Sequence, residues 1–188
     1  SLITDISRPY DMSPLRLQVG GTIGFAHFPS MADDARKIYE KADFALYRGK
    51  QFARCQTIIF DEVQDLEMRE TLSLERGLRE AKLEDELYLL FQPQRDMARG
   101  KVVSFEALAR WQSQTLGPVR PDKFIRAAER AGLIQNVSRI LFAKALDAIE
   151  LWPSEISVSF NLSAQDLADR AFIFSLVAEV VRRGIAPS

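Results

Sequence analysis

KVVSFEALARW, residues Lys101 to Trp111, is the stretch on which the fold turns. Apolar residues run to its end with no Gly or Pro inside, the pattern of a buried strand. Period-two alternation gives it two faces. Phe105, Ala107, Ala109 and Trp111 share one, suited to packing under helices, and Ser104, Glu106, Leu108 and Arg110 share the other. That second face carries an acid and a base where a plain core strand would carry Val or Leu. Glu106 and Arg110 stand roughly 13 Å apart along a straight strand, too far for direct pairing. A half-buried carboxylate without a partner costs several kcal/mol, so each is expected to answer to something else. A metal, an anion or a charge network with neighbouring strands would each serve.

Composition narrows the field. The chain has 188 residues, is 47% hydrophobic and carries a formal net charge of -1, ordinary globular material for one or two domains. Lys plus Arg at 25 nearly cancels Asp plus Glu at 26, which leaves no global basic field for nucleic acid. No apolar run is long enough for a bilayer, and the start lacks the charged and apolar regions of a secretory leader. Cys55 is the single cysteine, which excludes an intramolecular disulfide and fits a reducing, cytoplasmic setting. His27 is also alone, so a His-cluster metal site is excluded. The chain stops at Ser188 in mid-pattern and reads as a piece of something longer.

Taken in order, residues Ser1 to about Tyr10 suggest the tail of a helix closed by Pro9. Leu15 to Phe28 alternates as one strand interrupted by Gly20, Gly21 and Gly24, glycines that suggest a bulge or close backbone approach. Met31 to Phe52 is helical, with Ser30 placed to cap it. Lys50 and Arg54 gather at its end, where the helix dipole favours cations. Gln56 to Phe60 is a short strand. Asp61 to Glu86 is a charge-rich helix, broken near Gly77. Leu87 begins a strand that ends at Gln92-Pro93, and a turn around Gly100 feeds the organising strand. Helices follow over Pro121 to Ala131 and Gln135 to Leu151, then a strand over Ile156 to Asn161. Ser163 to Asp166 forms a capping box for a helix running to about Arg183. The strand–helix alternation suggests a parallel β/α barrel with Gln92, Glu106, Arg110 and Asn161 near the C-terminal strand ends, where such barrels do their chemistry.

FEALARW, preceded by LLFQPQRDMARGKVV and followed by LGPVRPDKFIRAAERAGLI and SVSFNLSAQDL, resembles the EAL domain family, whose members hydrolyse the bacterial second messenger cyclic di-GMP. Four ordered blocks carry the resemblance. Upstream, KADFALYRGKQFAR resembles the second half of a GGDEF domain, the family that makes cyclic di-GMP from GTP. Together they imply an α/β chain in three parts. Residues 1–61 would be the remnant of a GGDEF α/β sheet domain and residues 62–84 a helical linker or first EAL helix. Residues 85–188 would be the first half of a TIM-like (β/α) barrel.

The resemblance also implies roles. Glu106 matches the EAL glutamate, a ligand of a catalytic Mg or Mn ion, and Asn161 a second ligand. Gln92 and Arg110 match positions that contact cyclic di-GMP, Arg110 through phosphate. Leu108, Pro121 and Phe124 match substrate-pocket positions. Lys50 and Arg54 match the phosphate-contacting pair of the GGDEF helix, with dipole complementarity as the structural alternative. Ala109 and Gln94 depart from the commoner Leu and Ile at positions assigned to packing, and Cys55 stands where the GGDEF family has Asn. The GGDEF loop is absent, so no cyclase activity is expected. The family's later metal acids and catalytic Lys and Glu are absent too. The expectation is therefore a metal-dependent cyclic di-GMP phosphodiesterase as parent and an inactive piece here. The alternatives are a non-catalytic receptor of the dinucleotide or an interaction module. Open sheet edges in such a piece also predict a homo-oligomer.

Overall fold

The computed structural model describes residues 2–185. The chain divides into two compact units, Ser1–Glu70 and Thr71–Ser188.

In the first unit, α1 (Leu2–Ile6) precedes an antiparallel hairpin of β1 (Tyr10–Met12) and β2 (Leu15–Leu17). Then β3 (Ile23–Phe25), α2 (Ala35–Phe52) and β4 (Thr57–Ile59) form a crossover, with β3 and β4 parallel and Ile23 opposite Thr57. The single strand expected over Leu15 to Phe28 is therefore two, parted at the Gly20-Gly21 pair, where no side chain is available to pack. Gly24 is the close approach. A Cβ there would stand 2.1 Å from the Ala42 carbonyl oxygen and 2.3 Å from the Leu46 nitrogen, so β3 rests directly on the backbone of α2. Gly24→Ala is expected to cost about 1–3 kcal/mol through overpacking against atoms that cannot rotate away. A lowered denaturant midpoint at unchanged m-value would show it.

α2 starts later than its periodicity suggests, because Asp34 rather than Ser30 caps it. The Lys37 backbone N–H donates to Asp34 Oδ1 at 2.8 Å. Its buried face brings Phe44 and Ala45 onto Phe60, with the two rings edge to face at 6.2 Å. Lys41 donates to Asp65 at 2.6 Å and Arg69 adds a second cation, which together hold the Asp65 carboxyl below the usual range, the Lys41 bond first.

α3 (Glu62–Glu80) runs unbroken through Gly77, correcting the expected break. The glycine instead admits neighbours: a Cβ there would be 2.8 Å from Leu116 Cδ1 and 3.3 Å from the Trp111 ring. After α4 (Leu83–Glu86), β5 (Leu87–Asp96) and β6 (Lys101–Ser113) form an antiparallel hairpin. Then come β7 (Gly117–Val119), α5 (Pro121–Ala131), α6 (Ile134–Ile149), β8 (Ser157–Phe160), α7 (Ala164–Ala168) and α8 (Arg170–Arg182). β6 is the centre of this sheet: β5 and β7 pair with it antiparallel, and β8 pairs parallel.

The sheet thus opens on a hairpin where strand–helix order suggests parallel strands throughout. The connection over residues 97–100 is too short for a parallel crossover, which needs a dozen residues or more. Asp96 Oδ1 accepts from the Ala98 and Arg99 backbone at 2.8 and 3.2 Å, and Gly100 at φ 65 closes the turn. β5 also continues past Pro93, expected as its end. Among the described residues it pairs only with β6, and an edge strand tolerates a residue without an N–H. The last helix is two helices. Asp169 ends α7 and caps α8, its Oδ1 accepting from the Ala171 and Phe172 backbone. A hydrogen bond from Gln135 and these N–H groups hold its carboxyl below the usual range, the Gln135 bond first.

The helix-facing side of β6 behaves as its alternation predicts. Ala107 and Trp111 are buried, and Trp111 joins Leu78, Leu87, Phe124, Val137 and Leu141 in one core. The Trp111 indole N–H donates to the buried Glu86 at 2.9 Å. Lys144 Nζ donates to the carbonyls of Glu84 and Leu87 at 2.5 and 2.6 Å, pinning α6 to the start of β5. No helix among the described residues is long and apolar enough to cross a membrane.

Candidate functional site

The site residues come together on the other face of β6, in the second unit. The hairpin register sets Gln92 directly opposite Glu106, Leu90 opposite Leu108 and Tyr88 opposite Arg110. On the far side, the parallel ladder sets Ser159 beside Glu106 and ends at the pairing of Ala107 with Phe160. Asn161 is the next residue, released from the ladder, and its Nδ2 donates to Glu106 Oε1 at 2.8 Å. Glu106 and Asn161, 55 positions apart in sequence, are thus in contact through side chains.

This answers what Glu106 and Arg110 pair with. Glu106 takes an amide rather than a cation, and among the described residues it forms no ion pair. Arg110 Nη1 donates to the Ala109 carbonyl at 2.8 Å, which orients the guanidinium. The charge network across strands is not what the structure builds here.

The Asn161–Glu106 bond leaves Glu106 Oε2 and Asn161 Oδ1 free of hydrogen bonds among the described residues. Both are hard oxygen donors, the kind that suits Mg²⁺ or Mn²⁺. The donor chemistry fits a divalent ion that keeps several waters. Among the described residues no group of three or more His, Cys, Asp or Glu is arranged to hold a metal, so two such ions exceed what these two side chains supply.

A cleft of about 390 Å³ between β6 and helices α5 and α6 is lined by Leu108, Arg110, Pro121, Glu129, Ser138 and Asn161, and by the buried Ala107, Val137 and Leu141 of the helix-facing side. It therefore gathers four of the residues singled out from the sequence. Gln92 and Glu106 stand beside it in the ladder rather than in its wall. Phe124 does not belong: it is 0% exposed and packs edge to face on Trp111 at 5.9 Å, a core residue rather than a pocket residue. Gln94, expected to act in outer packing, shares the face of Gln92 and accepts a bond from Ser104. Lys50 and Arg54 lie in the first unit at the end of α2, where Arg54 Nε donates to the Lys50 carbonyl at 3.1 Å. That is a helix-end bond, and both side chains are exposed.

Glu129 escaped the sequence reading. Pro121, Ile125 and Glu129 recur every fourth residue along α5 and all line the cleft, so helical spacing from Pro121 would have found it.

Residues 75–188 match the family model described as EAL domain. Cyclic di-GMP phosphodiesterase PdeR of Escherichia coli is 31% identical over 184 residues, covering 96% of this chain and 28% of its own length. The bifunctional diguanylate cyclase/cyclic di-GMP phosphodiesterase MucR of Pseudomonas aeruginosa is 28% identical over 191 residues, covering 100% of this chain and 28% of its own. Among solved structures, the PaMucR phosphodiesterase in its c-di-GMP complex superposes with a TM-score of 0.56 at 28% identity, over 61% of this chain and 48% of that one. The chain spans about a quarter of the length of the curated relatives it matches.

Proposed function

The chain belongs to the EAL domain family through residues 75–188, and on that premise we propose that it is part of a bacterial, metal-dependent cyclic di-GMP phosphodiesterase. The observation that carries this reading is the hydrogen bond between Asn161 and Glu106, which brings into contact two side chains that each keep an oxygen donor. Glu106 and Asn161 would hold a Mg²⁺ or Mn²⁺ ion. Held there, the ion would supply Lewis acidity toward a phosphodiester and a water of lowered pKa. Arg110, already oriented by its backbone bond, holds a phosphate oxygen through paired donors. Gln92 contacts the dinucleotide beside Glu106, and Leu108 and Pro121 supply apolar wall.

Residues 1–61 are, in this reading, the C-terminal part of a GGDEF domain, with Lys50 and Arg54 its basic pair. Residues 62–84 are the helical linker or first EAL helix, and residues 85–188 the start of the EAL barrel. The parallel β3–α2–β4 crossover and an alignment with the bifunctional MucR that covers 100% of this chain support a GGDEF portion ahead of the EAL portion. An exposed, unpaired Cys55 fits cytoplasmic action. Phe174, Val177 and Val181 expose an apolar stripe on α8 that supports self-association.

A second reading uses the same contacts, those of Gln92 beside Glu106 and of the oriented Arg110, without a cut. A receptor that binds the dinucleotide without cutting it would need no more. The natural full-length chain, given cyclic di-GMP and Mg²⁺ or Mn²⁺, is expected to release the linear dinucleotide, and EDTA to stop it. Tight binding of intact cyclic di-GMP with no product would decide for the receptor.

A further inference from the structure

The loop that carries Asn161 is tied down by a buried carboxylate. Asp166 is 0% exposed, and its Oδ2 accepts two hydrogen bonds. One comes from the Ser163 backbone N–H at 3.0 Å, the other from the Ser138 hydroxyl at 2.8 Å. Ser163 Oγ returns the first bond by accepting from the Asp166 backbone N–H at 3.0 Å. The reciprocal pair locks residues 163–166 into one turn. Ser138, itself only 6% exposed, fastens that turn to α6, whose Val137 and Leu141 lie in the core.

Asn161 stands between two fixed points. Upstream, Phe160 is the last residue of the β6–β8 ladder. Downstream, Ser163 belongs to the buried node, and only Leu162 intervenes. Gln135 on α6 adds a second tie by donating to Asp169 at 3.0 Å. With both flanks held, the backbone at Asn161 is fixed in the place from which its exposed side chain reaches Glu106.

A helix cap alone does not account for Asp166. Ser163 would cap α7 through its own hydroxyl, and an exposed carboxylate or amide at the third position would complete the box. Here the acid is fully enclosed, and its Oδ1 is buried with no hydrogen-bond partner among the described residues. An enclosed oxygen without a partner is a standing cost, which implies that the bonds made by Oδ2 are worth keeping for what they position.

We propose that Asp166 is a positioning residue for Asn161. Through Ser163 and Ser138 it holds the Asn161 amide against Glu106, so that Asn161 Oδ1 and Glu106 Oε2 face a divalent cation as a preset pair. This rests on the metal site proposed above and adds the residue that keeps its geometry. Groups that orient ligands without touching the ion typically account for about 10–100-fold in metal affinity.

The test is Mn²⁺ binding by the natural full-length chain without nucleotide, read from the electron paramagnetic resonance signal of free Mn²⁺. Asp166→Asn and Ser138→Ala are each expected to weaken Mn²⁺ binding about tenfold. In an Asn161→Ala background neither should weaken it further, because the residue they act through is gone. A purely structural role would give the same loss in both backgrounds, and that result would overturn the proposal. So would wild-type Mn²⁺ affinity in both variants while Glu106→Ala loses binding, a result that leaves the metal site itself standing. If wild type binds no more Mn²⁺ than Glu106→Ala does, the metal site fails and this proposal with it. Should Asp166→Asn not fold, Ser138→Ala decides alone, since it removes a single hydroxyl from a helix.

Discussion

Glu106→Ala in the natural full-length chain is expected to lower kcat for cyclic di-GMP by about three orders of magnitude. A metal acting as a Lewis acid on a phosphodiester stabilises the transition state by several kcal/mol, and about 1.4 kcal/mol is a factor of ten in rate. The loss would exceed that of an ordinary contact because alanine removes the carboxylate proposed to hold the ion and the acceptor to which Asn161 Nδ2 now donates. Arg110→Ala should behave differently. In its proposed role the guanidinium would bind phosphate in ground state and transition state alike, so its removal should mainly raise KM. Steady-state kinetics at saturating Mg²⁺ separates the two. Wild-type turnover in Glu106→Ala would make the carboxylate a structural partner of Asn161 and nothing more.

Phe124→Ala is expected to destabilise the protein by about 3–5 kcal/mol, the range for emptying a fully enclosed aromatic site. The side chain is 0% exposed, sits edge to face on Trp111 and has Ala127 and Ala128 beside it in the core. Small neighbours cannot reach in to fill the void. A large fall in denaturant midpoint is the expected result, with KM unchanged at temperatures where the variant remains folded. The family resemblance suggests the reverse, a pocket residue whose loss would raise KM and spare stability. The burial of the ring decides against that.

Several features were legible because their causes are local. Pro121 and Gly132 bracket α5, and the structure puts Pro at the helix start and Gly132 at φ 69 after its end. The alternation of KVVSFEALARW predicts which side of β6 is buried, and Ala107 and Trp111 bear it out. Glu106 and Asn161 could be singled out from the residue motifs that carry the family resemblance. Each of these rests on neighbours within a few positions, where backbone geometry fixes direction.

How distant stretches are registered, by contrast, comes from packing across the fold. Nothing near Gln92 in sequence says that it stands opposite Glu106; the turn at Asp96–Gly100 and the bulge between Gln94 and Arg95 set that. The break between α7 and α8 depends on Asp169 finding both the next helix's N–H groups and Gln135 of α6. Phe124 and Glu129 lie on the same short helix, Phe124 buried against Trp111 and Glu129 in the cleft wall. Asp166 looks in sequence like an ordinary capping residue. Its burial exists only because α6 lies across it and supplies Ser138. Local pattern sets which faces are apolar and which residue types can bind an ion. Packing determined which of them meet, since hydrogen bonds and burial act across distances in the chain that no local pattern records.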